Sequence, residues 1–322
     1  MKLALKLSTV LGLAAMIALA FGNHGCKKKD KGTGDGGGGA WLVGQNGTMV
    51  NVSPQGQVGG YDLDSTDDFL DIACKGSDTA WVVGEGGTLL RSFDAGASWQ
   101  ALDLSTTVTL RAVAAAESDV IYVVGDNGLA LVSDDLGDSF RDLPTDGQAW
   151  TAVATSHDGA VAILGAADGS LWRAAGELEQ VHDGGPAIRA VGVSATGQIA
   201  VAVGDDGRIL RSIDGGTSWQ AQTAGDGALH DVWVTGDGGR ALAVGDGGRL
   251  VAIHDAGWDE QPIADDVALR GIHLSADGRG MVVGDGGTAL QTFDRGASWS
   301  PVDLATDRTL HAVDDIHAVP HL

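Results

Sequence analysis

Cysteine is nearly absent: the 322 residues contain only Cys26 and Cys74, which excludes a disulfide framework. Tyrosine is equally scarce, with only Tyr61 and Tyr122, so chemistry that needs a tyrosine nucleophile has few places to start. Lysine all but stops at residue 31, after which Lys75 stands alone. From residue 40 onward 14 lysines and arginines face 41 acidic residues, a net charge of −27. Phosphate backbones and anionic lipid are held by Lys and Arg, so a surface this acidic excludes nucleic acid and leaves a protein, a cation or a neutral glycan as partner classes. No His-rich metal spacing, nucleophile elbow or phosphate-binding loop is present, and neither a metal nor a cofactor is expected. Acid-rich composition also fits simple solubility of an exported protein.

What is present in quantity is glycine, 51 residues, and it is periodic. Gly44, Gly84, Gly125, Gly165, Gly204, Gly245 and Gly284 each follow a short apolar run, at spacings of 40, 41, 40, 39, 41 and 39. Seven repeats of about this size, built from short apolar runs and glycine turns, predict an all-β, seven-bladed β-propeller with four-stranded blades over residues 40–322. In the second repeat the strands are expected at 69–74, 79–84, 87–93 and 98–104, called A to D from the central channel outward. Cys74, inside an apolar run, reads as a small core residue.

Between strands B and C stand turns such as Gly84-Glu85-Gly86-Gly87 and Gly204-Asp205-Asp206-Gly207, whose Gly, Asp and Asn supply positive φ. Between C and D stands Ser-x-Asp-x-Gly-x-Ser-Trp: Ser92, Asp94, Gly96, Ser98, Trp99, and again Ser212, Asp214, Gly216, Ser218, Trp219. Near-copies begin at Ser133 and Thr292, while repeats one, four and six have lost it. The pattern resembles the Asp-box, or BNR repeat, of bacterial sialidases and many other propellers. Its expected role is local: side-chain oxygens accept backbone N–H bonds across the turn and the aromatic ring packs into the blade.

The first repeat begins at its strand B, Trp41-Leu42-Val43-Gly44, with no strand A before it. Leu310-His311-Ala312-Val313 matches Leu110-Arg111-Ala112-Val113 position for position. The C-terminal strand is therefore expected to complete the first blade and leave no open sheet edge.

Ahead of the repeats, Lys2 and Lys6 precede an apolar run from Leu7 to Phe21, the layout of a secretory signal. Asn23-His24-Gly25-Cys26 resembles the lipobox of bacterial lipoproteins in its Gly-Cys end, with Asn23 where that family has an apolar residue. This implies a lipoprotein signal over 1–25, lipidation of Cys26, a Lys- and Gly-rich tether over 26–39, and a propeller lipid-anchored in the cell envelope, facing periplasm or exterior. A cut after Ala18-Leu19-Ala20 would instead release a soluble periplasmic protein. The tether lysines can rest on anionic lipid.

A candidate site comes from the register of strand A. Its second position holds Arg111, Arg189, His230, Arg270 and His311, with Leu70 and Thr151 in the other two blades. Charged residues repeating there place a cluster of cations at the channel mouth. Two readings stand: each cation braces a carboxylate of the neighbouring blade, or the cluster binds an acidic side chain or a chain terminus. The B–C turns add Gln45, Glu85, Asp126, Asp205, Asp246 and Asp285; with strands about 4.8 Å apart they fall roughly 14 Å from the axis and about 12 Å from one another, an acidic rim too wide to share one metal ion.

A sialidase-type site needs a tyrosine at the channel, but Tyr61 and Tyr122 are assigned to strands D and B, and the Arg-Ile-Pro signature before the first Asp-box is absent. The chain is expected not to be an enzyme. Its repeat, Val-Gly-x-x-Gly followed by apolar residues and Asp-x-Gly-x-x-Trp, resembles the photosystem II stability/assembly factor family over residues 40–322. That resemblance implies a non-catalytic, monomeric assembly module that binds a protein, a membrane protein in that family, through an arginine-bearing face, here Arg111, Arg189 and Arg270. The alternative is a glycan-binding or sialidase-like glycoside hydrolase propeller.

Overall fold

The structure, a computed structural model, describes residues 39–62, 65–145 and 147–316. The expected signal, Cys26 and all of the tether except Gly39 lie outside the described residues. Seven antiparallel four-stranded sheets stand around a central channel, and the innermost strand of each packs against the innermost strands of its two neighbours, so the ring closes. Leu310–Ile316 is strand A of the first blade; it pairs with Gly39–Gly44, Leu42 opposite Val313. The C-terminal strand thus closes the ring.

Strand B is the buried centre of every blade. Ala200–Gly204, Thr79–Gly84 and Ile121–Gly125 are buried at every position, because each blade lies between two others and both faces of its middle strand meet apolar neighbours. The small and β-branched residues that recur there fit this two-sided packing. One such core joins blades 2 and 3 through Trp81, Val83, Leu89, Leu110, Val113 and Ile121. A fully buried valine or leucine contributes about 1.5–3 kcal/mol, and every blade interface holds several.

The glycine that marks the period has a different cause from the one its turn suggests. Gly84 and Gly204 are extended, with φ of −171° and −173°, so no left-handed backbone requires them. A Cβ on Gly204 would lie 1.9 Å from the Ala187 carbonyl oxygen, and one on Gly84 would lie 2.3 Å from that of Asp68. In each case the next residue's N–H donates to that same carbonyl, Asp205 to Ala187 and Glu85 to Asp68, both at 3.0 Å. The connection entering strand A is pinned onto the B–C turn, and only glycine leaves room for it. Positive φ falls two and three residues later, at Asn127 (57°) and Gly128 (78°) after Gly125 for example.

The Asp-box geometry matches its expected role. Asp94 Oδ1 accepts the Ser98 N–H at 2.8 Å, Oδ2 accepts the Ser98 hydroxyl at 2.6 Å, and Ser92 Oγ accepts the Gly96 N–H at 2.9 Å. Asp135, Asp214 and Asp294 repeat the pattern, and the serine hydroxyl and N–H bonds hold all three carboxyls down at about 2. Trp99 packs edge-on against Trp41 of the preceding blade, with ring centroids 5.8 Å apart.

Strand lengths differ from expectation in one systematic way. Strand D of blade 2, expected at 98–104, is only Gln100–Ala101, and strand C begins at Leu89 because Gly87 belongs to the turn. Blades with an Asp-box have outer strands of two to four residues, such as Arg141–Asp142 and Gln220–Thr223. Blades without it have five or six: Val58–Asp62, Glu177–His182 and Gly257–Pro262. The box satisfies its backbone through its own side chains, and the chain spent on that loop is unavailable for pairing. Cys74 is half-buried at the channel wall, packed beside Trp41, Phe69 and Val82.

Candidate functional site

The central channel is a cavity of about 1290 Å³ walled by the innermost strands. Its mouth on the B–C turn side carries Arg111, Arg189, His230, Arg270 and His311, all of which line it. The register that repeats the second position of strand A therefore brings these five side chains together around one opening.

Their partners are not in the neighbouring blade, with one exception. Arg111 donates through Nε to Asp126 Oδ1 at 2.9 Å and through Nη2 to Oδ2 at 3.0 Å, within its own blade. Arg270 holds Asp285 in the same two-pronged way, and Arg189 bonds Asp205. His230 Nε2 lies 2.7 Å from Asp246 Oδ1. The cause is the A–B hairpin: Leu110 is opposite Gly125 and Ala112 opposite Val124, so Arg111 is the extra, unpaired residue of an irregularity beside the turn that carries Asp126. His311 differs because its blade has Gln45 in the turn; its Nε2 instead lies 3.7 Å from Asp68 of blade 2. The carboxylates taken for a separate outer rim are thus bonded to the cations and share the mouth with them.

Some of these pairs leave a mark on a member. The Asp126 hydrogen bonds push the Arg111 guanidinium up, against burial, and the Arg270 hydrogen bond holds the Asp285 carboxyl down. Burial would raise Asp246, but the His230 bond and the Ala228 N–H outweigh it and the net direction is downward. Burial depresses both imidazoles, His230 against the pull of Asp246 and His311 against that of Asp68.

Deeper in the channel stand residues that the register reading passed over. Asp71 and Asp231 occupy the third position of strand A, where the other blades have Ala112, Ala152, Ala190, Gly271 and Ala312. Asp71 Oδ2 accepts the Val113 N–H at 2.9 Å and Asp231 Oδ2 accepts the Ile272 N–H at 2.8 Å, each from the next blade. Asp314 accepts the Cys74 N–H at 2.7 Å and pairs with His273 Nδ1 at 2.8 Å. These side chains line the channel, and burial there pushes the Asp71 carboxyl up to about 8 and those of Asp231 and Asp315 to about 6. His273 is raised because Asp314 beside it outweighs burial. The signal was present in the aligned strands: Leu-His-Asp-Val against Leu-Arg-Ala-Val puts a carboxylate where a methyl group is usual. Among the described residues no group of three or more His, Cys, Asp or Glu side chains has metal-holding geometry.

A closed ring of seven four-stranded blades, Asp-box turns on four of them and a charged mouth on the axis define a seven-bladed β-propeller of the BNR-repeat class. Residues 51–199 match the family model of the photosynthesis system II assembly factor YCF48. Over that stretch the chain is similar to photosystem II assembly factor propellers. Among solved structures, YCF48 bound to D1 peptide superposes with a TM-score of 0.59 at 19% identity, over 74% of this chain and 81% of that one. YCF48 from Cyanidioschyzon merolae gives a TM-score of 0.60 at 14% identity, over 75% and 87%. At such identities the likeness to these structures is one of fold. No curated protein matches the chain.

Proposed function

We propose that this chain is a non-catalytic, extracytoplasmic protein-binding module that assists assembly of a membrane protein, held to the envelope by a lipid on Cys26 and docking its partner across the channel mouth. The observation that carries this reading is the charged mouth itself, three arginines and two histidines of strand A with their carboxylates gathered at the opening of a wide channel, in a propeller of which residues 51–199 match an assembly factor model. A similar propeller has been solved with a bound peptide, which supports a protein as the class of partner. Tyr122, the tyrosine on strand B of blade 3, is buried with its hydroxyl 3.4 Å from the Gly159 carbonyl, and Tyr61 lies on an outermost strand. Both placements support a module without sialidase-type chemistry.

The test is affinity capture from detergent-solubilised membranes. Wild type is compared with a variant in which Arg111, Asp126, Arg189, Asp205, Arg270 and Asp285 are all replaced by alanine, after both give the same circular dichroism melt. Removing whole pairs leaves the net charge unchanged, so a general charge effect is controlled. A protein retained by wild type and lost by the variant supports docking at the mouth; equal recovery overturns it. Saccharide binding by wild type with no protein captured moves the conclusion to the glycan-binding alternative.

A further inference from the structure

The mouth looks at first like an anion receptor, but its pairing argues otherwise. An incoming carboxylate binds a guanidinium best through the two-pronged fork, and in Arg111 and Arg270 that fork is already filled by Asp126 and Asp285. These turn carboxylates are anchored by backbone, since the Asp126 N–H donates to Thr109 and the Asp285 N–H to Ala268, both at 3.0 Å. They stay 34% and 38% exposed while bonded, with lone pairs still open to solvent.

The sum of charges points the same way. Arg111, Arg189 and Arg270 are opposed by Asp68, Asp126, Asp205, Asp246 and Asp285, while burial biases the two imidazoles toward the neutral form. At blade 2, Leu70 takes the cation position and leaves the turn residue Glu85 without one. Below the ring the wall continues with Asp71, Asp231, Asp314 and Asp315 around His273, with Asp71 protonated at neutral pH and Arg240 and Arg295 lining the same channel. An excess of one sign of charge inside low-dielectric walls focuses its potential on whatever enters.

We propose that the mouth takes a basic segment of its protein partner: lysine or arginine side chains seat on Asp126, Asp205, Asp246 and Asp285, and one extends into the carboxylate-walled channel. The arginines then have a positioning role, holding the turn carboxylates in the ring. This rests on the reading of the mouth as the docking site and fixes the sign of what docks there.

Trilysine and triglutamate, each carrying a terminal fluorophore, provide the test by anisotropy titration at low ionic strength. Trilysine is expected to bind wild type and to weaken about tenfold when Asp126→Asn, Asp205→Asn and Asp285→Asn are combined, the size expected for truncating several members of a charged interface. An edge control of equal charge, Asp142→Asn with Glu177→Gln and Asp259→Asn on the exposed outer strands, is expected to change binding less than about twofold, since rim charges beyond a Debye length are screened. Arg111→Ala with Arg189→Ala and Arg270→Ala is expected to tighten trilysine binding. The proposal is overturned if triglutamate is the peptide that binds and the arginine variant loses it, if the edge control costs as much as the mouth variant, or if neither peptide binds. The first of these leaves the mouth a docking site with its sign reversed. Failure of the docking reading itself shows separately, as equal capture by wild type and the six-alanine variant.

Discussion

The channel wall consists of two unlike arcs. From blade 6 through blades 7, 1 and 2 to blade 3, side chains tie each innermost strand to the next: Asp231 to the Ile272 N–H, His273 to Asp314, Asp314 to the Cys74 N–H, and Asp71 to the Val113 N–H. From blade 3 through blades 4 and 5, the corresponding positions are Ala112, Ala152 and Ala190 and the contact is chiefly apolar packing, joined by the Thr151 hydroxyl donating to the Ile188 carbonyl at 2.6 Å. Innermost strands of neighbouring blades share no ladder, since each sheet is complete with four strands. Their inward N–H groups therefore need another acceptor or water. The tied arc is centred on blade 1, the blade assembled from both ends of the chain. Where covalent continuity around the ring is broken, hydrogen bonds across the channel wall are concentrated.

The most drastic way to break the comparison is to remove the seam. Deleting residues 309–322 takes away strand A of blade 1, its pairing with Gly39–Gly44, and both the Asp314–His273 and Asp314–Cys74 ties. It also uncovers the edge of a buried strand. The truncated protein is expected to lose its cooperative thermal transition or aggregate; a circular dichroism melt with an unchanged midpoint would sink the closure argument.

A smaller effect, confined to the tied arc, is its dependence on pH. Asp71 has a folded value raised to about 8 from 3.8, so above pH 4 the folded state keeps a proton that the unfolded state has released. Stability then falls as pH rises, by at most about 1.4 kcal/mol per unit while this one group differs between the states. Asp231 and Asp315, raised to about 6, act in the same direction up to that pH. So does His273, whose raised value gives stability that is lost as pH climbs through it. Half-buried His182, His230 and His311 are depressed and pull the other way below pH 6.5. In the window from pH 6.5 to 8 Asp71 therefore acts together with His273, both lowering stability as pH rises. Urea titrations across it are expected to show a decline in wild type that flattens in Asp71→Asn, and an equal slope in both proteins would remove Asp71 as its source.

How much of this was legible in the sequence depended on whether a feature repeats. The period of Gly44 to Gly284, the Asp-box and the echo of Leu110-Arg111-Ala112-Val113 in residues 310–313 gave the blades, the turns and the closing strand, because each reflects geometry imposed seven times. Arg111, Arg189, His230, Arg270 and His311 could be gathered at one mouth for the same reason. Their partners could not, because the bond from Arg111 to Asp126 depends on an irregularity at the end of the A–B hairpin that no residue type announces. The wall carboxylates escaped notice because they break the repeat: Asp71 and Asp231 stand where a reader of periods expects alanine. Shortened outer strands were missed because an apolar stretch such as Trp99 to Leu104 has the composition of a strand, whereas the Asp94 loop just before it has already satisfied the backbone there.

The mildest perturbation sharpens the comparison by carrying one arc's chemistry into the other. Ala112 has the same register as Asp71 and Asp231, and it packs in the core that blade 3 shares with Trp150 and Val153 of blade 4. If position and not sequence context makes the ties, Ala112→Asp should find the Val153 N–H as Asp71 finds that of Val113, and should hold its proton near neutral pH as Asp71 does. Ala112→Leu has no such partner and adds bulk where the inner strands converge; a Cβ on Gly271, the same position of blade 7, would already lie 3.0 Å from the Ala312 Cα. Overpacking of this kind costs about 1–3 kcal/mol, whereas a buried polar group with a hydrogen-bond partner recovers much of its desolvation. The aspartate is therefore expected to lower the melting temperature by less than half as much as the leucine. An aspartate as damaging as leucine would mean that the apolar arc excludes a carboxylate for reasons beyond register, and that the two arcs are built differently throughout their depth.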